Sequence, residues 1–310
     1  MTAAAIEFER VTKTYRKRLG GQEIPALTEV SFSVAPGRVC AFLGPNGAGK
    51  TTSISILMGF LYADWGKIRV LGCDPGDVKA KRRIGFVPEN FAFYKHLNAE
   101  KLMRFHARLA EVAEEATSGL IRDLLAKVRL SGYEKLKIGR YSRGMVQRLG
   151  IAQSLIGDPE LLVLDEPTSG LDPSGRKEVR DLLLALKNAG KTIFLSSHLL
   201  SEVEQLSDEA VIIDRGRVVR AGAMKDLLET GNQVEVVATE INEELATVLR
   251  ELGAKVERSS QGVRIIVGSE RTRELLERLW LQGSDVVRLN PVKGSLEDLY
   301  MKLVGKNDAA

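Results

Sequence analysis

Residues 38 to 61 read RVCAFLGPNGAGKTTSISILMGFL, and the fold turns on how that run divides. The apolar RVCAFLG is a short strand, and SISILMGFL is a helix. Between them, residues 44 to 51 fit G-x-x-x-x-G-K-[ST] in full. Strand, glycine loop and helix follow in the order that this phosphate-binding motif requires. The stretch Gly44, Pro45, Asn46, Gly47, Ala48 and Gly49 lets successive backbone N–H groups turn inward around phosphates. Lys50 reaches the β- and γ-phosphates, Thr51 offers a hydroxyl to Mg²⁺, and Thr52 continues into the helix.

Working outward, IEFERV (6 to 11) alternates like a half-buried strand, and SFSVAPG leads into RVCAFLG through a Pro-Gly turn. From Asn98 the pattern becomes helical. NAEKLMRFHARLAEVAEEA and GLIRDLLAKVRL read as two amphipathic helices joined by polar residues, and a third helix follows Gly144. Apolar strands return in ELLVLD (160 to 165), KTIFLSS (191 to 197) and EAVIIDRGRVVRAG (209 to 222), with the helix SGRKEVRDLLLALKNAG between the first two. Apolar strands alternating with helices predict a largely parallel, doubly covered sheet, interrupted by a helical insertion at about residues 90 to 155. Beyond Gly231 the segments QVEVVAT, NEELATVLRELGA, KVERSS, GVRIIVG, ERTRELLERLWLQG and DVVRLN read β-α-β-β-α-β, then a helix SLEDLYMKLVG. This predicts a small ferredoxin-like α+β domain over 231 to 310, following a first domain over 1 to 230.

At 310 residues the chain has room for two domains. Its net charge of +4 is scattered, too mild to imply nucleic acid, and is unevenly shared. Residues 231 to 310 hold 13 acidic and 11 basic side chains, a net of −2, which leaves +6 for the first domain. No stretch approaches a membrane span and the N-terminus lacks a signal peptide's apolar core, so a cytosolic chain is expected. The two cysteines, Cys40 in an apolar run and Cys73 in a turn, provide no disulfide framework or metal spacing.

Two further stretches carry chemistry. In LLVLDEP the apolar run places Asp165 at a strand's carboxyl end, with Glu166 beside it. Beside a phosphate loop this pair reads as a Mg²⁺ holder and a general base for an attacking water. In YSRGMVQRL (141 to 149), Ser142 and Gly144 sit at a helix start, where free N–H groups and the positive end of the dipole suit an anion. The question is which anion, since the loop at 44 to 51 lies far upstream.

With these motifs in this order, residues 5 to 225 or so resemble the ATP-binding subunit of an ABC transporter. The resemblance implies an α/β P-loop NTPase fold with a helical insertion, an ATPase activity, and ATP and Mg²⁺ as cofactors. It implies that Tyr15 stacks on adenine, that Asp172 in SGLDP meets the phosphate loop across a dimer, and that His198 in LSSHLL contacts the γ-phosphate. Lys50, Glu166 and His198 are then the catalytic set, and Thr51, Glu89 and Asp165 hold the metal. In this family two ATP-binding domains pair head to tail, so Ser142 and Gly144 would grip the partner's γ-phosphate. A chain with one phosphate loop and one such signature needs a second ATP-binding subunit, expected to be a second copy.

Two departures narrow the resemblance. The usual signature Leu-Ser-Gly-Gly-Gln is here Tyr141-Ser142-Arg143-Gly144-Met145, and Glu89 in IGFVPEN stands where most members carry glutamine. Both, with the ending SLEDLYMKL, resemble ATPases of ABC-2-type exporters. That resemblance implies a separate integral membrane permease, on whose cytoplasmic side the chain would sit as a peripheral subunit. Two other classes remain open: an ABC ATPase acting on ribosomes or DNA, and an importer ATPase.

Overall fold

The computed structural model describes residues 3–16, 23–228, 233–251, 253–259, 262–292 and 294–304. β1 (Ile6–Arg16) and β2 (Glu23–Val34) pair antiparallel, Phe8 opposite Phe32. β3 (Val39–Leu43) is buried throughout and feeds α1 (Lys50–Leu57). β4 (Trp65–Val70) pairs with the other side of β1, making a three-stranded antiparallel sheet. After α2 (Val78–Lys81) and β5 (Ile84–Val87), the insertion contributes α3 (Ala99–Leu109), α4 (Glu114–Lys127) and α5 (Arg143–Ser154). β6 (Leu161–Asp165), α6 (Pro173–Asn188), β7 (Thr192–Ser197), α7 (Leu200–Leu206), β8 (Glu209–Asp214) and β9 (Arg217–Ala223) follow.

The second sheet runs β5-β6-β7-β3-β8-β9, parallel through β8 with β9 antiparallel at the edge. β3, β6 and β7 lack the alternation of a one-sided strand because both of their faces are covered, so every residue in them is buried. An aromatic series ties the two sheets together. Phe8 stacks on Phe32 with centroids 4.6 Å apart, Phe32 lies 5.5 Å from Phe42 of β3, and Phe42 lies 5.4 Å from Phe194 of β7. Such offset and tilted pairs add to area burial and hold β3, the strand that carries the phosphate loop.

The chain divides into two compact units between Met224 and Lys225, just at the start of α8 (Met224–Leu228). The boundary expected between residues 230 and 231 falls outside the described residues. In the second unit, β10 (Gln233–Ala238), α9 (Glu243–Glu251), β11 (Lys255–Ser259), β12 (Gly262–Gly268), α10 (Thr272–Leu281) and β13 (Val286–Pro291) precede α11 (Leu296–Val304). Its sheet order, β11-β12-β10-β13, is antiparallel throughout and is the ferredoxin-like arrangement the sequence predicts. Val236, Ala238, Val263, Ile265 and Val267 meet Leu245, Leu249, Leu275 and Leu279 of the two helices in one core.

Two details differ from expectation. The insertion's first two helices part at residues 110 to 113, not at the polar Thr117 and Ser118. Glu111 adopts φ 57° and the N–H of Val112 turns back to the carbonyl of Ala107, which stops α3 without glycine or proline. Thr117 is buried inside α4, its hydroxyl donating to the carbonyl of Ala113, and Arg104 of α3 donates to Ser118 and Glu114. The polar residues thus serve helix packing instead of a turn. The second difference is the antiparallel sheet, separate from the parallel one. β4, largely exposed with Trp65 at its start, has too little apolar alternation to announce itself.

Candidate nucleotide site

The parallel strands β3, β6 and β7 end side by side, so their carboxyl ends deliver functional groups to one edge of the sheet. There they open into a cleft of about 630 Å³. Its walls include Tyr15 and the segment 24 to 26, the loop residues Pro45, Asn46, Gly47 and Gly49, and Lys50, Thr51 and Thr52. Glu89, Asp165, Glu166, Ser169 and His198 close the other side.

The loop is shaped by close backbone approach. A Cβ on Gly44 would collide with the carbonyl of Ile213, and one on Gly49, at φ 106°, would lie 2.7 Å from the carbonyl oxygen of Ala26. Gly49 is also the N-cap of α1 and, lacking a side chain, leaves the helix's first N–H groups to an anion. Lys50 Nζ donates to the carbonyls of Gly44 (2.6 Å) and Pro45 (3.3 Å) and stands 3.9 Å from Glu166. Its charge is met chiefly by dipoles, so an incoming phosphate need not displace a close ion pair.

β6 and β7 set the acidic side. Their parallel register puts Asp165 opposite Ser196. Ser196 Oγ donates to Asp165 Oδ1 at 2.5 Å and accepts the N–H of Glu166 at 2.8 Å. Glu166 holds φ 50°, a left-handed conformation that costs a non-glycine residue about 1–3 kcal/mol and persists only where its surroundings impose it. The Glu166 carboxylate pairs with His198 Nδ1 at 2.7 Å. Burial pushes the Asp165 carboxyl above its ordinary range, the Ser196 hydrogen bond opposes that, and the negative charge of Glu89 adds to it. Tyr15, two-fifths exposed at the cleft rim, lies 3.4 Å by its hydroxyl from Thr52 Oγ1.

A Mg²⁺ ion suits this donor set. Thr51, Asp165 and Glu89 supply only hard oxygen ligands, and a cation would offset both the burial and the nearby Glu89 charge that now raise Asp165. Among the described residues, no group of three acidic, His or Cys side chains is placed to hold a metal by protein atoms alone. Mg²⁺ bound through one or two carboxylates, water and substrate phosphate needs no such cage.

Of the other predicted residues, Gly44 and the buried Ala48 belong to the loop but do not line the cleft, and Ser142, Gly144 and Asp172 lie elsewhere. Ser142 N-caps α5, its Oγ accepting the N–H of Met145 at 3.2 Å, and Asp172 N-caps α6 by accepting the N–H of Gly175 at 3.2 Å. These helix starts are neighbours: a Cβ built on Gly144 would come to 4.0 Å from Gly175 Cα. None of Ser142, Gly144 and Asp172 lines the cleft. Sequence reading passed over Ser196 and Ser169. For Ser196 the signal was present as a serine pair ending an otherwise apolar strand just before His198.

A phosphate loop and an acidic pair at the carboxyl ends of a parallel sheet define a P-loop ATPase. The profile of the ABC transporter family matches residues 27–169. Over 312 residues the chain is 36% identical to an uncharacterized ABC transporter ATP-binding protein of Nostoc sp., covering 100% of this chain and 92% of that one. It is 32% identical to the Nod factor export ATP-binding protein I of Burkholderia thailandensis, covering 99% of each. Among solved structures, the ATP-binding subunit of an ABC transporter superposes with a TM-score of 0.63 at 29% identity, over 72% of this chain and 91% of that one. The chain belongs to the ATP-binding proteins of ABC transporters, and it is an ATPase. Among the described residues no helix is long and apolar enough to cross a membrane.

Proposed function

We propose that two copies of this chain close head to tail on ATP and that hydrolysis reopens them, driving an ABC-2-type exporter through a separate integral membrane permease on its cytoplasmic side. The observation that carries this is the division of the site. Tyr15, the loop residues 45 to 47 and 49 to 52, Glu89, Asp165, Glu166 and His198 share one cleft, whereas Ser142, Gly144 and Asp172 sit together at two helix starts outside it. A nucleotide in the cleft meets the second group only if another subunit supplies it.

Within one subunit each residue has a defined task. Tyr15 stacks on the base, the loop N–H groups and Lys50 hold the phosphates, and Glu166 takes a proton from the attacking water. His198, hydrogen-bonded to Glu166 and lining the same cleft, fixes that carboxylate and would contact the γ-phosphate. Thr51, Asp165 and Glu89 would hold Mg²⁺, which when bound neutralises charge on the phosphates. The Tyr-Ser-Arg-Gly-Met signature, Glu89 and the SLEDLYMKL ending support the exporter class, and a related chain named for Nod factor export agrees with it.

In the test, Glu166→Gln binds MgATP and shifts from monomer to dimer by light scattering, while its hydrolysis falls at least about 10²-fold, as for a lost general base. Near-normal turnover would overturn the assignment of Glu166. Tight MgATP binding by a protein that stays monomeric would overturn the shared site.

A further inference from the structure

We infer that Ser196 is a positioning residue that sets the metal-side carboxylate and the proposed base together through one hydroxyl. The inference rests on the assignment of Asp165 and Glu166 above and adds to it the group that fixes their mutual geometry.

Ser196 is fully buried at the carboxyl end of β7. Its hydroxyl has one hydrogen and faces two neighbours that differ in kind, Asp165 at the end of β6 and Glu166 just beyond it. As a carboxylate Asp165 accepts, and the Glu166 N–H can only donate. The hydroxyl donates to the first at 2.5 Å and accepts from the second at 2.8 Å. No aliphatic side chain can do either, and a lysine ammonium could not accept.

The two bonds act on different degrees of freedom. The bond to Asp165 fixes one oxygen of a carboxylate that lines the cleft, leaving the other outside that bond. The bond to the Glu166 N–H anchors the peptide at the point where the chain turns into φ 50°, and so aims the Glu166 side chain at Lys50 and His198. The turn is closed on its other side by the Ser169 N–H, which donates to the Glu166 carbonyl at 3.1 Å. Without the hydroxyl, the Glu166 N–H is left buried and unpaired, and the strained turn loses one of its two anchors.

The adjacent Ser197 is a control built into the strand. Side chains alternate along β7, and Ser197 Oγ instead accepts the N–H of Leu199 at 3.0 Å, shaping the turn into α7. Its hydroxyl is turned to that helix start and not to either acidic residue.

The test uses the full-length chain and four variants, Ser196→Ala, Ser196→Thr, Ser197→Ala and Glu166→Gln. Binding of trinitrophenyl-ATP in EDTA reports the fold and the loop without metal, and ATPase activity is titrated with Mg²⁺. Ser196→Ala should bind trinitrophenyl-ATP within about twofold of the parent, need about fivefold or more Mg²⁺ for half-maximal activity and lose about tenfold in kcat. Ser196→Thr, which keeps a hydroxyl, should recover most of both, and Ser197→Ala should leave the Mg²⁺ midpoint unchanged. An unchanged Mg²⁺ midpoint and kcat in Ser196→Ala, while Glu166→Gln is inactive, would overturn this inference and leave the catalytic assignment standing. Activity retained by Glu166→Gln would instead remove the assignment on which it rests. Loss of metal-free nucleotide binding in Ser196→Ala in parallel with its activity would reduce Ser196 to a packing role and also overturn the inference.

Discussion

The starts of α1 and α5 both read as anion sites, yet they are built in opposite ways. At α1 the N-cap is Gly49, held at φ 106° with no capping side chain, and the lysine that follows is buried against loop carbonyls. At α5 the N-cap is Ser142, exposed, with its hydroxyl already bonded to the helix's own Met145 N–H. The first is a concave cradle that a phosphate completes from within one chain. The second is an exposed, self-capped helix start that lines no part of the cleft. On the proposed closure of two copies, the difference would let one chain bind ATP by itself while turnover waits for the second.

The comparison breaks most visibly through Lys50 and Ser142. Lys50→Ala removes charge-assisted hydrogen bonds worth about 1.5–3 kcal/mol, so the monomer's affinity for ATP should fall about 10- to 100-fold in equilibrium binding below the dimerisation range. Ser142→Ala should leave that monomer affinity within about twofold while lowering cooperative ATPase activity. A similar loss of monomer binding in both variants would place the two helix starts in one site and end the distinction.

A smaller effect sharpens it from the side of stability. Ser142→Ala also removes a helix cap worth about 1 kcal/mol, which lowers Tm by about 2–4 °C in a unit of this size, read by calorimetry without nucleotide. An unchanged Tm would mean that tertiary packing, not Ser142, fixes the α5 terminus.

The smallest effect has the opposite sign. Burial raises Asp165 in the folded state, so folding favours its protonated form. This stability term falls as pH rises from the unfolded carboxylate value through the raised folded one, and above that window the charged group destabilises the protein in full. Asp165→Asn should therefore raise the Tm of the nucleotide-free protein at neutral pH by about 1–3 °C, with the gain shrinking as the pH is lowered into the ordinary carboxylate range. The same variant should lose the extra stabilisation that Mg²⁺ adds to bound ATP. A lower Tm at neutral pH would show that the Ser196 hydrogen bond outweighs burial.

Much of this molecule was legible without coordinates. Gly44 to Thr51 declared its loop because each position is constrained by local backbone geometry and by the shape of a phosphate. The ferredoxin-like unit was legible because its strands and helices alternate with clear periods of about 2 and 3.6 residues. The end of α3 was not, since an alanine and a glutamate make that turn where glycine would be expected. Nor was the antiparallel sheet, whose edge strand β4 buries too little to leave a pattern.

The sequence by itself determined which groups are available: a phosphate loop, an acidic pair, a histidine after a strand and a serine at a helix start. These are short-range properties, fixed by residue type and spacing. Only the tertiary structure decided which of them meet. Asp165, Glu166, Ser196 and His198 come together because β6 and β7 pair in one parallel register across some 30 residues of chain. Ser142 and Asp172 are excluded from that cleft because α5 and α6 present their starts beside each other and outside it. Register and helix packing are set by the shared core of many distant residues, so no local stretch of sequence can state them.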